Sequence, residues 1–278
     1  MAERNSSKQV NGVFIGLTTM DSVYYISDYP ENNTKAKTNH YRCQVGGPAA
    51  NAAITYALLG GKATLFTCLG SSRQAVEISQ ILSDYGVEVI NCADDDVLPC
   101  TAAITVDRLG NRTIVSGQHR FQRIHFPVPE NPDFCLFDLN QQELSLKMLG
   151  NISCPVVLDA GSFKENTEMF LEKADYVISS ESFQNPSGQN VLEMEILKGK
   201  EVAVTRGEKD ILLRTSVVAV PSVECVDSLG AGDIFHGAFC FARFELQKDF
   251  RDALEFAARI ASESVKQEGT TAWREKVR

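Results

Sequence analysis

The sequence predicts an α/β protein built on a mainly parallel sheet with helices on both faces. Three observations carry that prediction. From Phe134 onward, apolar runs near 134–138, 155–159, 175–179 and 201–205 alternate with helical patterns, as repeated strand–helix units require. The run Val13–Leu17 is short and apolar, which fits a buried parallel strand. The stretch Asp227–Gly237 (DSLGAGDIFHG) sets two glycines around one alanine, ahead of Ile234, Phe235, Ala238, Phe239, Phe241 and Ala242 at helical spacing. It reads as a tight loop opening a buried helix.

At 278 residues the chain could form one large domain or two smaller ones, and either buries a substantial core. Its 44% hydrophobic and 23% charged residues are those of a soluble globular protein. Lys and Arg number 27 against 36 Asp and Glu, a net charge of −9, which argues against nonspecific binding to nucleic acid or anionic membranes. Such a chain must gather positive potential locally if it is to handle phosphate. The cysteines at 43, 68, 92, 100, 135, 154, 225 and 240 include no C-x-x-C pair, and several sit in apolar runs. They read as reduced core thiols of a cytoplasmic protein, not zinc ligands. No run of about 18 apolar residues suits a membrane helix. Met1–Gln9 is polar and reads as a short disordered tail without a secretory signal.

In chain order, Asp21 falls just after the first strand, at the carboxyl end where open α/β sheets bind ligands. A turn cap is the other reading of that aspartate. Residues 22–44 mix β-branched and aromatic residues with polar ones, which suits a short antiparallel excursion. In Val45–Ile54, Pro48 is placed for the first turn of a helix and alanines follow. Asn51 lies one turn inside that helix. A buried amide must find partners, and one that donates and accepts suits a vicinal diol. Ala75–Tyr85 is an amphipathic helix closed by Gly86, and Val87–Ile90 a short strand. Cys100–Val106 and Arg112–Val115 read as a hairpin, and Thr205–Asp210 as a turn after the strand 201–205. The last helical pattern runs from about Asp249 to Gln267, with Gly269 as its expected C-cap.

The loop before Ile234 invites two readings. Glycines let backbone amides approach a ligand, and the first amides of a helix have no partner inside it, so Gly230, Ala231 and Gly232 form an anion cradle. A carboxylate beside such a cradle suits a base that takes a proton from an attacking hydroxyl while the amides neutralise an incoming phosphoryl group. Alternatively, Asp233 is an N-cap and the glycines only serve a turn.

Asp227–Phe235 resembles the C-terminal signature of the ribokinase-like (PfkB) carbohydrate kinases, Asp-Thr-x-Gly-Ala-Gly-Asp-x-Phe, with Ser228 in place of threonine. Gly46–Ala53 resembles the family's N-terminal signature, Gly-Gly-x-x-x-Asn-x-Ala, and the likeness continues through Leu59-Gly60-Gly61 to Gly70. Two separated signatures in the right order are far more specific than either alone. The resemblance implies a ribokinase-like three-layer α/β/α fold spanning 1–278 as one domain. Its small β-sheet lid would come from insertions at about 18–45 and 98–117, closing over a sugar. It also implies ATP-dependent phosphorylation of a small carbohydrate. Asp233 would be the base, the amides of Leu229 to Asp233 would hold the phosphoryl group, and magnesium would offset the remaining charge. Asp21, Gly46, Gly47 and Asn51 would hold sugar hydroxyls.

Thr205, Arg206 and Gly207 match the start of Thr-x-Gly-x-x-Gly, a turn near the nucleotide phosphates, with Asp210 at the final glycine. Arg206 reads equally as a surface arginine. Ala258, with Ala257 and Ser262, lies on the helix that borders the adenine in the family. Ser180 and Phe183 occupy the positions of Asn-x-x-Glu, which leaves Glu181 as the nearest carboxylate for magnesium. Asp227 lies where members hold a monovalent cation such as potassium, and lid sheets frequently pair into homodimers. Gly16–Tyr25 with Val45–Ala53 looks closest to the ketose kinases, ketohexokinase and sulfofructose kinase among them. A nucleoside kinase, with Tyr24 or Tyr41 stacking on a base, and a sugar-binding regulator, suggested by Phe183 and Asp210, remain the alternatives. His236 reads as a packed helix residue or a shaper of the site. The sequence carries no Walker P-loop, H-E-x-x-H or G-x-S-x-G motif.

Overall fold

The computed structural model describes residues 9–38, 40–117 and 120–276; the expected tail at 1–9 lies almost entirely outside them. In chain order the elements begin β1 (Asn11–Ile15), β2 (Thr19–Tyr25), β3 (Tyr41–Gly46), α1 (Pro48–Leu58), β4 (Lys62–Thr67), α2 (Arg73–Asp84) and β5 (Val87–Asn91). Then come β6 (Cys100–Val106), β7 (Arg112–Gly117), β8 (Phe134–Phe137), α3 (Gln142–Leu149), β9 (Val156–Ala160), α4 (Thr167–Lys173) and β10 (Tyr176–Ser180). The chain finishes with β11 (Glu201–Arg206), β12 (Lys209–Leu212), β13 (Val217–Val218), α5 (Ala231–Cys240) and α6 (Phe250–Ser264).

A nine-stranded sheet runs β13-β12-β11-β10-β9-β8-β1-β4-β5, parallel from β11 to β5. Neighbouring residues on its strands enter different cores, as the period of two demands. Phe14, Phe134 and Leu136 pack with α1, α2, α5 and α6. Val13, Ile15, Cys135 and Phe137 pack with α3 and α4 on the other face. This is the expected three-layer arrangement. Two features escaped the sequence pattern. A hairpin, β12 and β13, adds antiparallel strands at one edge, and a single π-helical turn, Phe241–Glu245, follows α5. Gly269 is not the C-cap of α6: the helix ends at Ser264 with Val265 as cap, and the Gly269 amide donates instead to Asp227 Oδ2 at 3.0 Å.

The second sheet, β3-β2-β6-β7, is the lid. Its register sorts the side chains, because residues paired across strands share a face. Asp21, Ala102 and Ser116 share the face turned toward the large sheet, joined by Ile104, Ile114 and Arg112 two or four positions along. Tyr24, Tyr41, Ala103 and Val115 lie on the outer face, where Tyr24 and Tyr41 stack at 6.2 Å. Neither tyrosine faces the interior, so neither can stack on a base bound beneath the lid.

Helices α1 and α5 bring the two sequence signatures together. They touch backbone to backbone at Gly237, where an added Cβ would lie 2.3 Å from the Ala52 carbonyl oxygen. A backbone atom cannot rotate away, so Gly237→Ala forces the helices apart. That substitution is expected to lower unfolding free energy by about 1–3 kcal/mol in a denaturant titration; an unchanged midpoint would show that the helices tolerate separation.

Candidate active site

Asp21 lies in β2 at 5% exposure, and its Oδ1 accepts from Thr19 Oγ1 at 2.6 Å. Burial raises the carboxyl to about 6 against the lowering effect of the Thr19 hydroxyl. Gly46 on β3 is what lets the carboxylate sit there, since a Cβ would meet Asp21 Oδ2 at 1.9 Å. Gly46 therefore supports Asp21 and is not among the residues lining the cavity below, a correction to its expected sugar contact. Gly47 caps α1 at φ 96° against the Leu17 carbonyl, a conformation and a contact that only glycine accommodates. Gly47 does line the cavity.

Asn51 and Asp233 meet across the α1–α5 contact. Asn51 Nδ2 donates to Asp233 Oδ2 at 2.7 Å, while Asn51 Oδ1 is buried with no protein partner. Asp233 does not cap its helix: Gly230, at φ 70°, is the N-cap, and Asp233 lies three residues on. The Asp233 carboxyl is pushed up to about 7, chiefly by burial and then by the Asp159 carboxylate, while Asn51, His236 and Arg112 oppose the shift. Gly232 is exposed, and a Cβ there would meet nothing within 4 Å. Protein packing does not require that glycine; the room around it opens onto two cavities.

Those cavities share Pro48, Gly232 and Asp233. The first, of about 240 Å³, lies under the lid, between Asp21, Gly47 and Asn51 on one side and Ala102, Ile104 and Ile114 on the other. Arg112 also lines it, its guanidinium donating to the Ser228 carbonyl of the glycine loop. The second, of about 250 Å³, lies at the carboxyl ends of β8 to β11 and is lined by Asp138, Asp159, Lys164, Ser180, Thr205 and His236. Asp233 is thus placed where one ligand could meet another.

The second cavity contains residues that the sequence reading missed. Asp138 accepts from the Leu17 amide at 2.8 Å and the Ala49 amide at 3.1 Å, yet burial keeps its carboxyl above the usual range. Asp159 is raised likewise by burial, against the charges of His236 and Lys164. Burial lowers Lys164 while the two carboxylates oppose it. Asp138 and Asp159 both stand at the carboxyl ends of predicted strands, so the rule applied to Asp21 marks each of them singly, though not their meeting with Lys164.

The other predicted residues divide. Thr205 lines the second cavity, and its Oγ1 donates to the Ser179 carbonyl at 3.0 Å. Arg206 donates Nε and Nη2 to the Asp210 carbonyl at 2.9 and 2.7 Å, bracing the hairpin whose turn contains Gly207 at φ 63°. Neither Arg206 nor Gly207 lines either cavity. Ala258 is 2% exposed within the α6 core, so it presents no surface to a base. Ser262 Oγ donates to the Pro221 carbonyl at 3.3 Å.

Glu181 is exposed beside Lys209 at 3.9 Å and lies outside both cavities, while Phe183 is fully buried against Phe163. Ser180 Oγ donates to the Gly161 carbonyl at 2.9 Å. Among the described residues no group of three or more His, Cys, Asp or Glu is placed to hold a metal. The positions 180, 181 and 183 therefore do not fit a magnesium ion held by side chains in the family's manner. Asp227, 3% exposed, accepts from Tyr25 Oη, the Leu229 amide and the Gly269 amide at 3.0, 2.9 and 3.0 Å. Its carboxylate ties the lid to the glycine loop.

Comparison with known proteins agrees with this geometry. Over 298 residues the chain is 26% identical to the deoxyribokinase of Salmonella typhi, covering 92% of each protein. It is 24% identical over 281 residues to the ketohexokinase of Mus musculus, covering 89% of this chain and 93% of that protein. The Arabidopsis thaliana ribokinase complexed with ribose and ATP superimposes with a TM-score of 0.71 at 19% identity, covering 97% of each chain, and shares the fold. A ketohexokinase and a deoxyribokinase thus stand side by side among the relatives, without singling out one sugar. The sequence model described as pfkB family carbohydrate kinase matches residues 11–149 and 154–276. The chain belongs to the PfkB family of carbohydrate kinases, phosphotransferases that act on a sugar or nucleoside hydroxyl.

Proposed function

We propose that the protein transfers the γ-phosphoryl group of ATP to a hydroxyl of a small neutral carbohydrate, a ketose or pentose, with Asp233 as general base. The observation that carries this reading is the Asp233 carboxylate at the junction of two cavities, held by Asn51 at 2.7 Å. The sugar occupies the cavity under the lid. Asp21 accepts from one hydroxyl, and the unpartnered Asn51 Oδ1 accepts from another, satisfying a buried acceptor the protein leaves open. A net anionic sugar is disfavoured, because two carboxylates line that cavity against one guanidinium already engaged at Ser228. ATP reaches the second cavity with its phosphates toward Thr205 and the amides of Gly232 and Asp233; the Leu229 amide, expected to share that role, is taken by Asp227 and the Ala231 amide by the Ser228 carbonyl. Gly230, Ala231 and Gly232 keep that approach free of bulky side chains, while Arg206 and Gly207, outside both cavities, act only by bracing the hairpin beside Thr205. Asp233 takes the proton of the attacking hydroxyl, the hydroxyl oxygen bonds to the γ-phosphorus, and the electron pair of the broken P–O bond leaves with ADP. Magnesium, when bound, offsets phosphate charge; its place follows from the nucleotide, since positions 180–183 supply no carboxylate facing the cavity.

Because a base must be ionised, turnover should rise with pH through about 7, where Asp233 loses its proton, and level off above. A flat pH–rate profile between pH 5.5 and 8.5 would contradict this. The function itself is tested by incubating the protein with ATP, magnesium and a panel of ribose, deoxyribose, fructose and nucleosides. The expected result is one sugar phosphate formed per ADP. Sugar binding without product would identify a regulator, and phosphorylation confined to nucleosides would identify the rival kinase.

The remaining expectations take support from the same structure. The outer lid face, with Tyr24, Tyr41, Ala103 and Val115, carries no charge on its central rows, which suits pairing of two lids into a homodimer. Val115→Glu would then shift the sedimentation coefficient to that of a monomer. Among the described residues no helix is long and apolar enough to cross a membrane, and all eight cysteines are free, which suits a reducing, cytoplasmic setting.

A further inference from the structure

His236 follows Asp233 by about one turn of α5 and is 4% exposed. Its Nδ1 lies 2.7 Å from the Gly232 carbonyl oxygen and 3.6 Å from Asp159 Oδ2, and its Nε2 lies 3.3 Å from the Ile178 carbonyl oxygen. Both ring nitrogens face acceptors. The ring therefore bridges the first turn of α5 to β10, with the Asp159 carboxylate beside it. Asp159 in turn lines the cavity that holds Asp233 and carries Lys164 on its other side.

We infer that His236 and Asp159 are positioning residues for the base: the His236 ring clamps the first turn of α5 to β10, Asp159 flanks that ring, and together they fix the orientation and charge surroundings of Asp233. This rests on the kinase reading above. The pair extends that reading, because neither residue touches the sugar cavity or the Asp233 carboxylate in hydrogen-bond geometry. It places opposite charges next to the base. Asp159 favours the protonated form of Asp233, and His236 favours the ionised form. The other groups facing Asp233 are Asn51 from α1 and Arg112 from β7, with Lys164 and Asp138 behind Asp159. Asp159, His236 and Arg112 are the charged groups that act on the Asp233 carboxyl directly.

The test is the pH–rate profile of three full-length variants beside the parent. Asp159→Asn removes a negative neighbour, so the acidic limb should move to lower pH. His236→Phe removes a positive neighbour and the clamp, so the limb should move to higher pH and kcat should fall roughly tenfold. Each shift is expected to be roughly 0.5–1 pH unit. His236→Asn keeps a donor for the Gly232 carbonyl without the charge; it should recover much of kcat but retain the shifted limb. A residue that merely fills the core would not move the limbs in opposite directions. Amide hydrogen exchange of the resting protein supplies a readout independent of turnover: the first turns of α5 should exchange faster in His236→Phe than in the parent. Limbs that coincide with the parent's in folded variants, or unchanged exchange in α5, would overturn the inference while leaving the kinase reading intact. A parent that phosphorylates no sugar would instead overturn that reading.

Discussion

Asp233→Asn should lower kcat by about 10²–10⁴-fold, the usual worth of a positioned general base, while sugar affinity changes little. The substitution preserves shape and leaves an acceptor for Asn51 Nδ2, so the α1–α5 contact is retained. Only the capacity to take a proton is lost. The same variant should be more heat-stable than the parent at pH 8. In the folded protein the carboxyl is raised from 3.8 to about 7, so its ionisation opposes folding. The stability associated with the protonated form is complete below pH 3.8 and is lost as pH rises through about 7. Asparagine removes that pH-dependent loss. A residue kept for structure would lose stability when replaced, so reduced turnover together with a raised melting temperature separates a base from a scaffold residue. Turnover near the parent's would refute the role.

Asp21→Asn should act on binding and not on chemistry. Replacing a charge-assisted hydrogen bond to a sugar hydroxyl by a neutral one costs the difference between the two, about 1–1.5 kcal/mol, equivalent to roughly 5–13-fold in kcat/KM, mostly through KM. In the parent, sugar affinity should weaken as pH falls through about 6, where Asp21 gains its proton, and Asp21→Asn should abolish that dependence. Calorimetric titration of the sugar at pH 5 and pH 8 checks both statements. An affinity indifferent to pH and to the substitution would mean that Asp21 only caps Thr19.

Much of the scaffold was legible because burial on both faces leaves a simple record. Val13, Phe14 and Ile15 are all apolar since successive side chains enter different cores, and β8 to β11 repeat that pattern. The hairpin β12–β13 was not legible: it is a short edge, partly exposed, in which only Ile211 and Val218 are buried. The site divides in the same way. Asp21, Asn51 and Asp233 are polar groups set in apolar surroundings, which a one-dimensional reading detects. Asp138, Asp159 and Lys164 become a cluster only when β8, β9 and the following loop lie side by side, a proximity no local pattern records. Gly269 looked like a cap because a glycine after a helix usually is one, whereas the Asp227 carboxylate claims its amide. Tyr24 and Tyr41 failed as base-stacking residues through strand parity, since one position along β2 separates the cavity face from solvent.

The most direct measurement is the distance between an Asp233 carboxylate oxygen and the acceptor hydroxyl in a crystal of the protein with its sugar and a non-hydrolysable ATP analogue. The account predicts roughly 2.6–3.2 Å, with the γ-phosphorus on the far side of that hydroxyl and the ring beneath Ala102, Ile104 and Ile114. A sugar seated outside the lid cavity, or a hydroxyl facing the phosphate with Asp233 farther away than one bridging water can span, would contradict it.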